Sequence, residues 1–187
     1  GAIQVNAGAG TGTATLRPGA MAREAGGTAV IAAWDVAYCS EQNYNLAAGS
    51  HITLADDGAS LGLVGGNSRS TDKAIVPYLV AVTTNDTGGR PNTLVRYDMT
   101  AGLKPLDRSA EFVKATDTNF PAVNADGNDN VRLPWTAVHP ADTPDPAVVS
   151  LAGNTAVNSL FFANDRNTGS GRDVTLTGNA GTVLTVK

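Results

Sequence analysis

The feature that most restricts this chain is its punctuation. Its apolar runs are short, and clusters of Gly, Asn, Asp or Ser cut them off: "NAGAGTG", "DDGASLG", "GGNSRSTD", "NDTGGRPN", "NADGND" and "NDRNTGSG". These residues accept positive φ or bond their side chains to their own backbone, so each cluster turns the chain. The runs between them alternate apolar and polar residues or are rich in Val, Ile and Thr, which marks strands. The expected strands are Ala2–Val5, Thr13–Leu16, Thr28–Ala33, His51–Leu54, Ala74–Thr83, Thr93–Tyr97, Asn130–Leu133, Ala147–Leu151, Thr155–Phe162, Asp173–Thr177 and Thr182–Val186. Only "RPGAMAREAGG" (Arg17 to Gly27) and "LDRSAEFVKAT" (Leu106 to Thr116) offer a turn or two of helix. The second has Asp107 or Ser109 as an N-cap and predicts a short helix near 107–115. "HPADTPDPA", from His139 to Ala147, has too many prolines to be anything but an extended loop.

The expected fold is therefore mostly β. Leu151 and Leu160 stand nine residues apart, and Leu176 and Leu184 eight apart, each in a short strand followed by Asn or Gly. Short strands, sharp corners and an inward aliphatic ladder describe a β-solenoid, a parallel β-helix-like stack of rungs with lateral loops. A β-sandwich or jelly roll has the same strand spacing and remains the alternative. Leu151, Val157, Leu160, Leu176 and Leu184 are expected to share one core. The organisation reads as first β-rungs over 1–33, an insert-bearing middle region over 34–129 and regular rungs over 130–187, together one continuous domain and part of a longer chain. Both "AIQV" and "TVLTV" are uncharged strand-like segments, which recruit partner strands. Ile3, Val5, Val183 and Val186 are the candidate assembly edge, meeting further rungs of the same polypeptide or other copies.

Composition narrows the function classes. Charged residues are 16 % of the 187 residues, the net charge is −4, and Arg and Lys are scattered singly. A nucleic-acid partner requires a concentrated basic footprint, which is missing. No apolar run reaches the ~20 residues of a membrane span, so membrane insertion is not expected. The single cysteine, Cys39, reads as a small apolar residue, since neither a cation nor a His stands near it in sequence. The start of the sequence shows no leader.

Candidates for chemistry are few. Asp56 and Asp57 could act as paired acid and base on a rung face, but Asp-Gly is also a turn pair. "NADGNDN" places Asp126, Asn128 and Asp129 at spacings that could hold calcium, without the terminal acidic ligand of an EF-hand. Otherwise no metal or cofactor is expected. His51, His139, Ser150 and Ser159 lack a nucleophile context, and "GLVGGNSRS" lacks the Gly-Lys-Ser/Thr of a phosphate loop. Trp34, Tyr38, Tyr44, Tyr78 and Trp135 could form a platform for a cell-surface glycan, or cap the open ends of the core. No catalytic residue is assigned, and the chain is not expected to be an enzyme.

"VNAGAGTGTATLRPGAMAREAGGTAVI", "GLVGG", "IVPYLVAV", "LVRYDMTAGLKPLD", "DNVRL" and "NTAVNSLFF" follow one another in an order that resembles the autotransporter-associated β-strand repeat proteins. These are very large secreted proteins whose passengers resemble a parallel β-helix. The resemblance covers most of the chain and is weakest between Trp34 and Ser60. It implies secretion, an extracellular or cell-surface setting and a structural or adhesive role, with no catalytic residues carried over. A virion component, decorating a capsid or associated with a tail, is the rival reading. A β-helical polysaccharide lyase or hydrolase is the enzymatic one.

Overall fold

A computed structural model describes residues 2–5, 14–33, 50–82, 93–134, 147–163 and 174–187. Trp34, Tyr38, Cys39, Tyr44, Trp135 and His139 lie outside the described residues. The described residues are mostly β, with one 3₁₀ turn at Ala59–Leu61. The strands are β1 (Ala2–Val5), β2 (Ala14–Leu16), β3 (Ala29–Ala33), β4 (Ser50–Ile52), β5 (Leu79–Val82), β6 (Thr93–Asp98), β7 (Gly102–Pro105), β8 (Val113–Lys114), β9 (Asn130–Pro134), β10 (Ala147–Leu151), β11 (Thr155–Val157), β12 (Ser159–Ala163), β13 (Val174–Gly178) and β14 (Leu184–Val186). Each expected strand has a counterpart, and the Thr155–Phe162 run is divided at Asn158 into β11 and β12. The sheets are short and separate.

Two expectations fail. Residues 107–115 form no helix: a turn leads into β8, which pairs parallel with β9, Val113 opposite Val131 and Lys114 opposite Arg132. A helix of two turns is marginal by itself. Strand pairing, with the burial of Phe112 and Ala115, outweighs the local preference. Arg17 to Gly27 is likewise non-helical. Pro18 follows β2, and a tight turn with Gly26 at φ 75° closes when Gly27 N donates to Glu24 O at 2.8 Å.

The chain divides into two compact units and passes between them three times. One comprises Gly1–Val64 and Ala74–Asp107, the other Gly65–Lys73 and Arg108–Lys187. In the first, one sheet runs β1-β3-β5-β6-β7. The β1–β3 and β3–β5 pairs are parallel, whereas β5–β6 and β6–β7 are antiparallel. A second, parallel pair joins β2 to β4. Ile31, Ile52, Leu54, Leu61, Val76, Leu79, Val95 and Leu103 make the core. Gly102, at φ 77°, opens β7 where a Cβ would overlap the backbone oxygen of Ile52, so only glycine lets the hairpin lie against β4.

In the second unit every strand pair is parallel. The order β8-β9-β12 makes one sheet, while β10-β13 and β11-β14 make two more. In three of these four pairs the partners recur at a nearly constant separation along the chain, while Val113 and Val131 of β8 and β9 stand closer in sequence. Asn130 faces Ser159, Ala147 faces Val174 and Thr155 faces Leu184. Ala115, Val131, Leu133, Val149 and Val157 are buried in one core, with Leu160, Leu176 and Leu184 packed against it. Leu151, expected in the same cluster, is buried but does not belong to it.

Candidate functional site

The densest polar chemistry among the described residues lies in the second unit. Glycines 65 and 66, at φ 73° and 99°, lead into the Gly65–Lys73 excursion. A Cβ on Gly65 would overlap the Asn158 carboxamide, which fills that space. Two buried asparagines then meet. Asn158 Nδ2 donates to Asn130 Oδ1 at 2.9 Å, and Ser159 Oγ donates to the same oxygen at 2.7 Å. Asn130 Nδ2 donates to Lys73 O at 2.9 Å, and its backbone N donates to Thr71 O at 2.7 Å. Both asparagines have zero exposure. A buried amide left without partners costs about 1–3 kcal/mol, so this network pins the excursion to the start of β9.

An ionic cluster adjoins it. Arg69 Nη2 lies 2.7 Å from Asp126 Oδ2, 3.3 Å from Asp72 Oδ2 and 3.9 Å from Asp129 Oδ1. Asp72 and Asp129 are fully buried, whereas Arg69 and Asp126 are about one-third exposed. Asp129 accepts from Thr71 Oγ1 and from both the backbone and side-chain nitrogens of Asn124, each at 2.7 Å. Burial pushes the Asp129 carboxyl up, but the Asn124 and Thr71 donors and the Arg69 charge outweigh it, leaving it below the ordinary value. The hydrogen bond from Arg69 is the main reason that Asp126 is held low, and the same bond raises Arg69.

The sequence candidates Asp126, Asn128 and Asp129 thus share one loop. The cations facing it are side chains: Arg69 on Asp126, and Lys187, which donates to Asn128 Oδ1 and reaches Asp126 O at 3.3 Å. Among the described residues no group of three or more His, Cys, Asp or Glu side chains is arranged to hold a metal ion.

The other candidates are dispersed. Asp56 closes a turn: Oδ1 accepts from Gly58 N at 3.1 Å and Oδ2 from Ser60 N at 2.9 Å. Its hydrogen bonds with Ser60 are the main cause of a lowered pKa. Asp57 takes a positive φ of 53° in the same turn, so the adjacent carboxylates serve backbone geometry rather than one shared face. Asp98 does the same work, accepting from Thr100 N and Ala101 N at 2.9 Å. His51 is half-buried on β4, opposite Thr15 of β2. Ser150 is exposed on β10, and Ser159 is committed to Asn130. Tyr78 is buried in the core of the first unit, with the Arg23 guanidinium 5.8 Å from its ring centre. Ile3 packs on the same core, Val5 ends β1, and Val183 and Val186 are 55 % and 49 % exposed.

Reading the sequence missed Arg69, Thr71 and Asp72, because "GGNSRSTD" registers only as a turn. The asparagine pair did leave a signal. "DNV" at 129–131 and "NSL" at 158–160 set a polar amide at or just before the start of two strands, β9 and β12, that pair.

Comparison with protein-family models, curated proteins and solved structures finds no match to this chain.

Proposed function

We propose that this chain is a non-enzymatic, solenoid-like segment of a secreted or cell-surface protein, serving as an extended scaffold for adhesion or surface-layer formation. The observation that carries the reading is the second unit's recurrence. Three parallel pairs repeat at a nearly constant interval along the chain, each strand in register with its partner. Leu160 stands beside Val131 and Leu176 beside Val149, and Asn158, one residue before the partner of Asn130, bonds to the Asn130 side chain. Repetition of this kind extends a structure along one direction without a closed centre. It also agrees with the resemblance to autotransporter-associated repeats. The carboxylates described above act as turn caps and ion-pair partners, as a scaffold requires.

Disulfide trapping tests the stacking. Cysteines placed at Val148 and Thr175 face each other across β10 and β13, and should close under mild oxidation. A Val148–Leu184 pair, not matched in register, should stay reduced. Equal closure of both pairs would remove the basis of the reading. Protease shaving of intact producing cells tests the location: surface peptides from this chain are expected, and their confinement to the lysate would discard the surface assignment.

A further inference from the structure

We infer that a cleft in the second unit binds a neutral oligosaccharide through the side-chain amides of Asn124 and Asn154. The inference rests on the scaffold reading above and supplies it with a partner. The cleft has a volume of about 840 Å³ and is lined by residues 120–125 and 152–156 with Val183 and Thr185. Ligand clefts span about 300–1,000 Å³. The lining segments are neighbours in parallel pairings. Asn119 bridges to Ser150, Phe120 N donates to Ser150 O at 2.9 Å, and Thr155 and Ala156 pair with Leu184 and Thr185. The cleft therefore crosses the strands, which lie ~4.8 Å apart, instead of following one of them. An elongated ligand lying in it meets a new segment of chain at each such step. The shape is set in advance. Phe120 packs against the core, and Asn124 donates both N and Nδ2 to buried Asp129 at 2.7 Å. Gly127 lacks the Cβ that would crowd Ala156, so the loop lies close to β11. A preformed site loses little entropy when its ligand binds.

The chemistry of the lining selects the ligand. Among the described residues that line the cleft none is charged. A phosphorylated, acidic or cationic ligand finds no opposite charge there. The two asparagines carry the recognition, and their partners force their orientation. Asn124 Nδ2 faces a carboxylate oxygen of Asp129, which only accepts, so Oδ1 is left as an acceptor. Asn154 Oδ1 accepts from Val183 N at 2.9 Å, so Nδ2 is left as a donor. A sugar hydroxyl both donates and accepts, so a fixed acceptor and a fixed donor together match a ring that carries several. Thr185 adds a hydroxyl: it follows Leu184, which packs on the core, and so faces the other way. Half-buried Phe120 and Pro121, with Val183 at 55 % exposure, supply apolar surface for the C–H face of a pyranose. A protein partner is held by large aromatic or Arg anchors. This lining, mostly Ala, Gly, Asn and Thr, offers such anchors no charge and little apolar area.

Titration of the 187-residue chain, followed by amide resonances, tests the site with maltohexaose, cellohexaose and N-acetylchitohexaose as probes. At least one of them should shift residues 120–125, 152–156 and 183–185, saturating at about millimolar concentration. Asn154→Asp keeps an acceptor for Val183 N and removes the donor. It should weaken that binding about tenfold, with amide exchange at Val149 unchanged. Ala152→Leu, at an exposed position on the cleft, should fill it and weaken binding in the same way. Hexagalacturonate, an acidic counterpart, should leave the cleft unshifted. Absence of shifts with all three neutral probes would overturn the inference, as would shifts only outside the cleft or Asn154→Asp binding like the native chain. A neutral Ala-Thr hexapeptide that shifts the cleft where the sugars do not would assign it to a protein partner and overturn the inference too. None of these measurements depends on how the strands stack or where the protein resides. Their failure therefore leaves the disulfide and protease tests of the scaffold reading standing.

Discussion

The two units use the same short strands to different ends. In the first, the stack β1-β3-β5 turns antiparallel at β6 and ends on β7, whose Lys104 and Pro105 blunt it. In the second, every pair among the described residues stays parallel, and the interval between partners is nearly the same in three of its four ladders. The first is held by an apolar core and by close backbone contacts at glycine. The second adds a buried polar network and an ionic cluster that fasten the Gly65–Lys73 excursion to Asn130 and to the loop at Asp126. The contrast teaches that one set of short strands can be closed by a change of strand direction, and another fastened by side chains that bond between its segments.

Gly102→Ala should break the first unit alone. The new Cβ meets the Ile52 carbonyl at a φ that alanine resists. The cost should be about 4 kcal/mol, among the largest single-site effects. Hydrogen-exchange mass spectrometry should show protection lost over residues 93–105 and kept over 147–151. Equal loss in both segments would mean that the two units unfold as one. Core truncations sharpen the same contrast. Leu103→Ala and Leu133→Ala each remove a buried side chain and should cost about 2–5 kcal/mol, each in its own unit.

Asn130→Ala has no counterpart in the first unit. It strips partners from Lys73 O, Ser159 Oγ and Asn158 Nδ2, and should cost the second unit about 1–3 kcal/mol. A chemical denaturation midpoint for residues 147–163 that does not move would show that the network is dispensable.

Acid supplies the smallest effect. Asp126 and Asp129 lie below the ordinary carboxylate value of 3.8 when folded. Their stabilisation is therefore complete above that value and is lost as pH falls through the lowered one. Arg69→Gln removes the cation that lowers both, so the loss should begin at a higher pH. Asp98 lies in the first unit. Burial raises it and backbone donors from Ala101 and Thr100 lead the opposing effects, so its titration should not move. Amide shifts of Thr71 and Thr100, followed from pH 6 down to about pH 2, read both sites at once. Parallel displacement of the two curves would contradict the assignment.

Much of the fold was legible because turns and strands are written locally. "DDGASLG" and "NADGND" carry their own backbone partners, as Asp56 and Asp126 show by accepting from Gly58 N and Asn128 N. β7 and β8 were not legible. "GLKP" and "VK" have little strand character of their own and become strands because β6 and β9 offer them a ladder. The candidate loop at Asp126, Asn128 and Asp129 was found, but its partners were not. Arg69 reaches it from the Gly65–Lys73 excursion and Lys187 from the far side of β14, both remote in sequence.

The sequence by itself determined the mostly-β class, the corners and nearly all strand positions, because glycine's freedom, Asx turns and β-branched stiffness act within a few residues. Only the tertiary structure decided which strands run parallel, where the stack reverses, that Gly65–Lys73 belongs with Arg108–Lys187, and that Asn130 and Asn158 meet. Those outcomes depend on pairings between residues remote in sequence. No local preference encodes such a pairing, because it is favourable only once the intervening chain has closed into a loop and its apolar side chains are buried.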